Sequence, residues 1–440
     1  MKHAFVSLSI LALLLSSQPG QAANPLSTRD QKSLAEARFK GEKTVTVLIA
    51  TQPGSAKNVA DSLAALGGSV HYRDDALGYV RAVVPTGAVE AAAKLTGLQA
   101  LNLDLVVPIP DPRPDKTEDA VQVAPPDAST PPLNPYLPSR DIGAPQFVAA
   151  HPSFDGRGVT VGIVDTGVTL DHPALQTTST GERKIVDWVR ATDPVGDNDP
   201  TWINMQDQVS GKVFTYQGVT YTAPANGNYR IGLFNERDSR LSGPNSEYSV
   251  PTGPTGALVG DVNRDGNPPG SSGLFAVLWD PNRNLVWVDA NQNHSFADEP
   301  AMTDYKTHYD IGTFGVDNPN TLVHEAVKFV VQIDGKNKFV NIGIVAGSHA
   351  SHVAGIATGR KLFGTADGVA PGAKVVSVCA CLFVSGCTSH ALIEGMIYAV
   401  KQANVDIVNM SIGGVPPLND GSSVFALVYN RLNDQFKTQM

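Results

Sequence analysis

GVTVGIVDTGV, residues Gly158 to Val168, is a run of β-branched and small residues that ends on an aspartate followed by Thr166 and Gly167. No polar residue alternates through it, which is how a strand buried on both faces of a parallel sheet reads. An aspartate at the carboxyl end of such a strand projects into the crevice where open α/β sheets place their ligands. Taken alone, Asp165 is equally well explained as a turn or capping residue.

A second stretch, GIVAGSHASHVAGIATG from Gly343 to Gly359, places His349 and His352 at a helix start. Ser348 stands where an N-cap is expected, and the small residues after it permit close packing against a sheet. The i, i+3 histidine pair admits a metal-site reading, but no Cys or carboxylate falls beside it at ligand spacing. Further on, DGVAPGAKVVSV, ALIEGMIYAVKQANV and DIVNMSIGG read as turn and strand, helix, and strand. That order is a parallel crossover unit.

VDTGV, SHASHVAG, VAPGAKV and NMSIGG, in this order, resemble the subtilisin-like serine peptidases. The resemblance runs from about Arg140 to the C-terminus. It implies a hydrolase in which Asp165 orients His349 and His349 acts as general base toward a serine, with no cofactor required for catalysis. His352 is expected to pack behind His349. Ser411, Ile412, Gly413 and Gly414 are implied to form an exposed strand edge that pairs with an extended peptide. Ala350 departs from the family, which has glycine after the histidine. The long stretch between Asp165 and His349 looks like the tripeptidyl-peptidase II type, so both a serine endopeptidase and a tripeptidyl peptidase fit.

The family's nucleophile lies in a Gly-Thr-Ser-Met-Ala stretch that does not occur in these 440 residues. Ser422 and Ser423 follow His349 too soon to replace it and read as helix-capping residues. The expectation is a C-terminally incomplete peptidase holding two of three triad members, inactive by itself. The alternative is a noncatalytic secreted peptide-binding protein.

The expected fold is α/β, the first half of a parallel-sheet subtilisin-like catalytic domain over 139–440. It carries a β-rich insertion at 176–340. A small α+β domain at 43–107 precedes it, with a strand, helix, strand, strand, helix, strand order, and resembles the family's inhibitory propeptide. A Pro-rich linker at 108–138 separates the two. Residues 1–22, with Lys2 and His3 before the apolar run Ala4 to Leu15, read as a signal peptide, placing the protein outside the cell or in a periplasm.

Within the insertion, DVNRDGN and DANQNHSFADE set oxygen-bearing side chains at alternate positions. Asp261, Asn263 and Asp265, and likewise Asp289, Asn291 and Asn293, are therefore candidate structural calcium ligands, although neither loop has a carboxylate at the twelfth position. The net charge of -9 lacks any basic block, which argues against nucleic acid, and no apolar run is long enough for a membrane span. The partner is a peptide or protein; the oligomeric state is not legible. Of three cysteines, Cys381 and Cys387 close a short loop more readily than Cys379 and Cys381, and three free thiols remain an equal alternative.

Overall fold

The computed structural model describes residues 26–109, 139 and 141–440, apart from 244–245, 253–255, 318, 321–324, 363–365 and 414–420. The signal-peptide segment and nearly all of the linker lie outside the described residues. Two compact units are present, dividing between Leu103 and Asp104, with residues 421–427 belonging to the first.

The first unit is a four-stranded antiparallel sheet in the order Ser69–Asp74, Tyr79–Pro85, Thr44–Thr51, Leu98–Leu103. Val47, Leu48, Ile49 and Ala50 are fully buried, as are Val59 and Leu63 of the helix Ala56–Ala65. A helix at Thr28–Phe39 also belongs here; Ser27 caps it by accepting from the Asp30 amide. Asp30 is buried, and its Oδ1 accepts from the amide of Leu103 at 2.8 Å. Val106–Val107, counted with this domain from its sequence, instead pairs antiparallel with Gly386–Thr388 in the second unit.

The second unit is built on a parallel sheet ordered Ile407–Asn409, Thr160–Asp165, Lys374–Cys379, Ile185–Arg190. Ile163, Val164, Val375 and Val378 have no exposed surface. Burying each contributes roughly 1.5–3 kcal/mol, which explains why the run is apolar throughout. Helices His349–Thr358 and Ser389–Lys401 pack on the strand Thr160–Asp165. Gly167, at φ +92°, lets the chain turn away from the strand end; a Cβ there would sit 2.9 Å from Trp188 Cζ2.

The insertion is β-rich, but its limits differ from those read in the sequence. Ile185–Arg190 pairs in parallel with Lys374–Cys379 and so belongs to the central sheet. Inserted chain therefore starts after Arg190, and its last strand, Phe339–Gly343, runs to Gly343. One inserted sheet is ordered Leu285–Val288, Leu274–Asp280, Asn228–Asn235, Asp207–Ser210, and closes over Tyr229, Ile231, Leu278, Trp287 and Phe296. The other is ordered Gly312–Phe314, Val327–Asp334, Phe339–Gly343, Trp202–Asn204. Among the described residues no helix is long and apolar enough to cross a membrane.

Candidate active site

Asp165 ends its strand fully buried, and His349 is the first residue of its helix. Both carboxylate oxygens of Asp165 lie 2.9 Å from His349 Nδ1. A carboxylate so placed holds the proton on Nδ1 and leaves the Nε2 lone pair outward as a base. The imidazole is 37 % exposed against 0 % for the carboxylate, and among the described residues its Nε2 has no hydrogen-bond partner.

Thr166 joins the two motifs. Its amide donates to Asp165 Oδ1 at 2.6 Å, and its hydroxyl donates to the Gly347 carbonyl at 2.8 Å. The same hydroxyl accepts from the Ala350 amide at 3.0 Å, satisfying a helix-terminal donor. Ser348, expected to cap with its side chain, makes no such bond. A threonine just past the end of the strand Thr160–Asp165 does so because the helix start is pressed against the strand end, as the fully buried Ala350 shows. His352 is exposed, not packed behind His349, since the next position on the helix that faces the sheet is taken by Ala354.

Inserted chain and the end of the central strand Ile185–Arg190 brace the segment leading to His349. Tyr248 is buried and its hydroxyl donates to the Val345 carbonyl at 3.0 Å. Arg190, fully buried, pairs with Asp199 and donates to the carbonyls of Ile344 at 3.1 Å and Cys381 at 3.0 Å. Charge and orphan carbonyls are thereby satisfied together, the condition under which a buried guanidinium is tolerated.

The other predicted residues are placed as follows. The regular strand before Ser411 ends at Asn409; Ser411 and Gly413 are exposed, Ile412 is buried, and Gly414 lies outside the described residues. The strand edge expected over Ser411–Gly414 is thus irregular in its described part, where pairing with Thr160–Asp165 has stopped at Asn409. Ser423 Oγ accepts from the Ala426 amide at 3.3 Å, a helix cap. Cys381 and Cys387 form a disulfide across an antiparallel pair, and Cys379 is a buried free thiol.

Asp261, Asn263 and Asp265 share one loop and Asp289, Asn291 and Asn293 another. Burial pushes the carboxyls of Asp261 and Asp289 upward. Glu236, missed in the sequence, lies beside the first loop and is pushed up to about 7 by burial. Also missed is His390, fixed between Asp104 and Asp197. No local pattern marks these residues, since their partners are distant in sequence.

The subtilase family model matches residues 156–435, and a model described as "Putative peptidase inhibitor domain" matches 22–104. Pyrolysin of Pyrococcus furiosus is 24 % identical over 91 % of this chain and 30 % of its own length. Tripeptidyl-peptidase 2 of rice (Oryza sativa subsp. japonica) is 26 % identical over 64 % of this chain and 24 % of its own. A crystal structure of tripeptidyl peptidase 2 aligns at TM-score 0.42 and 18 % identity, covering 60 % of this chain and 24 % of that one. The chain therefore spans less than a third of the length of these curated relatives. With the family model covering more than half of it, Asp165 to His349 included, the chain belongs to the subtilase family.

Proposed function

We propose that these residues supply the acid–base half of a peptide-hydrolysing serine site. The observation that carries this is the bridging of His349 Nδ1 by both oxygens of buried Asp165 while Nε2 is left without a partner. In the reaction Nε2 takes the proton of a serine hydroxyl as the oxygen attacks the scissile carbonyl, then returns it to the leaving amine; Asp165 stabilises the imidazolium between the two transfers. The nucleophile this reading calls for is a serine set within reach of Nε2. Substrates are peptides or proteins. The pairing of Val106–Val107 with Gly386–Thr388 supports an edge near the site that accepts an extended strand. The N-terminal domain acts as an inhibitory propeptide, and residues 1–22 direct export.

The test uses the full gene product and a fluorescent phosphonate that labels activated serines. Labelling and hydrolysis of a denatured protein substrate are expected together, with both lost in His349→Ala. Labelling that persists undiminished in that variant would remove His349 from the role of base.

A further inference from the structure

The strand Lys374–Cys379 pairs in parallel with Thr160–Asp165, and its last residue lies opposite Asp165. One residue on, the Ala380 amide donates to the Asp165 carbonyl at 2.8 Å. A hairpin follows directly: Cys381–Leu382 runs antiparallel to Gly386–Thr388, with Cys381 opposite Cys387. The inner strand of this hairpin is tied down, because the Cys381 carbonyl accepts from buried Arg190 at 3.0 Å. Its turn is held as well. Phe383 is buried there, with its ring 5.9 Å from that of Tyr248 and 4.7 Å from the Arg190 guanidinium carbon. The outer strand is joined to the inner one by two residue pairs and by the Cys381–Cys387 disulfide.

The far side of the outer strand receives Val106–Val107, with Cys387 opposite Val107 and Thr388 opposite Val106. Cys387 therefore joins the two sides: its sulfur is bonded to the inner strand and its backbone faces the docked chain. The fit is close. Gly386, at φ +113°, comes so near the docked chain that a Cβ there would lie 2.2 Å from the Val107 carbonyl oxygen and 2.9 Å from Pro108 Cα. A shift of the outer strand one way brings a clash, and a shift the other way stretches ladder hydrogen bonds past their working distance. A ladder of two residue pairs is too short to hold such a position by itself. The disulfide spans only six residues, so it constrains the unfolded chain far less than a long-range bridge would, and its effect is local. We propose that Cys381 and Cys387 are positioning residues for the substrate: their disulfide clamps the Gly386–Thr388 edge in fixed relation to Asp165, at the distance where Gly386 makes room for an extended peptide. This rests on the reading of that edge as the one that accepts peptide. The clamp acts through the backbone ladder, so it serves substrate binding rather than the chemical step.

Two readouts on the full gene product separate the clamp from the peptidase reading. Cys381→Ala and Cys387→Ala are made together, so that no new thiol is left to pair with Cys379. Amide hydrogen exchange, measured without turnover, should speed up on the order of tenfold at 106–107 and 386–388, while the His349 helix and the strand Thr160–Asp165 stay protected. With a long unstructured peptide as substrate, KM should rise on the order of tenfold and kcat stay within about twofold, because order lost at the edge must be restored on binding. Unchanged exchange at 386–388 would overturn the clamp whatever the activity. Faster exchange with an unchanged KM, or a fall confined to kcat, would overturn its role toward substrate. Hydrolysis that survives in His349→Ala would instead strike the peptidase reading and leave the exchange comparison to decide the clamp. Should the double variant fail to fold, Gly386→Ala decides it: the added methyl group should raise KM and loosen 106–107 in the same way, and native values for both would overturn the assignment.

Discussion

His349 and His390 each set Nδ1 against a carboxylate, at 2.9 Å from Asp165 and 2.7 Å from Asp104, yet they are built for opposite purposes. His349 is 37 % exposed and meets one carboxylate. His390 is 2 % exposed, and its second nitrogen lies 3.1 Å from Asp197 Oδ2, a close ion pair without a well-directed hydrogen bond. Burial opposes charge on His390, but Asp104 and Asp197 outweigh it and push the ring up to about 10. A base must be able to accept and return a proton near neutral pH, and a histidine fixed as a cation between two anions cannot. One carboxylate with an open Nε2 suits the proposed base, whereas two carboxylates around a buried ring make a structural ion cluster.

The comparison breaks most directly at turnover. In the full gene product, Asp165→Asn should lower kcat on the order of 10⁴-fold with KM little changed, since the carboxylate acts in the transition state. Near-native kcat in a folded Asp165→Asn protein would mean that His349 takes its orientation from another group.

The opposite substitution sharpens the contrast. His390→Gln should destabilise the protein by about 3–5 kcal/mol, because Asp104 and Asp197 are left as neighbouring anions, while the folded fraction keeps its kcat. The sign with pH follows from the raised value. The unfolded ring titrates near ~6.5, so its stabilising contribution is complete below that pH and is lost as pH rises through about 10. Chemical denaturation of wild type and His390→Gln should accordingly converge above that pH; a gap that stays constant from neutral to strongly alkaline pH would remove the charged-histidine account.

The smallest effect tests the brace behind His349. Tyr248→Phe removes the hydroxyl bonded to the Val345 carbonyl and should cost about 1 kcal/mol of stability, a part-buried carbonyl losing its donor. Denaturant midpoints measure it. No change would mean that water or another donor reaches Val345.

Local patterning marked the element boundaries at Asp165 and His349, an apolar run stopped by an acid and a small-residue helix start, but only the joint resemblance of the ordered motifs singled the two out as a pair. His390 was not legible, since it lies in the helical stretch Ser389–Lys401 and the two carboxylates that hold it are far away in sequence. Its partners arrive from Asp104, ahead of the linker, and from Asp197, beyond the Ile185–Arg190 strand. Glu236 is a similar case, an isolated acid after a strand whose buried carboxylate meets the distant Val262 and Asn263 amides. Ile185–Arg190 was assigned to the insertion because a β-rich segment and a central strand have the same composition when only one chain is read; pairing with Lys374–Cys379 decides between them.

By itself the sequence determined the buried parallel strands and the two oxygen-bearing loops, because periodicity, turn chemistry and spacing act over short stretches of chain, while the roles of Asp165 and His349 came from the resemblance of their motifs to a family. Only the tertiary structure decided which group meets the start of the His349 helix, which acid is buried beside the first loop, which histidine is held between two carboxylates and where the insertion begins. Those outcomes depend on burial and on side chains brought together from remote parts of the chain, and neither desolvation nor long-range contact leaves a local mark in the order of residues.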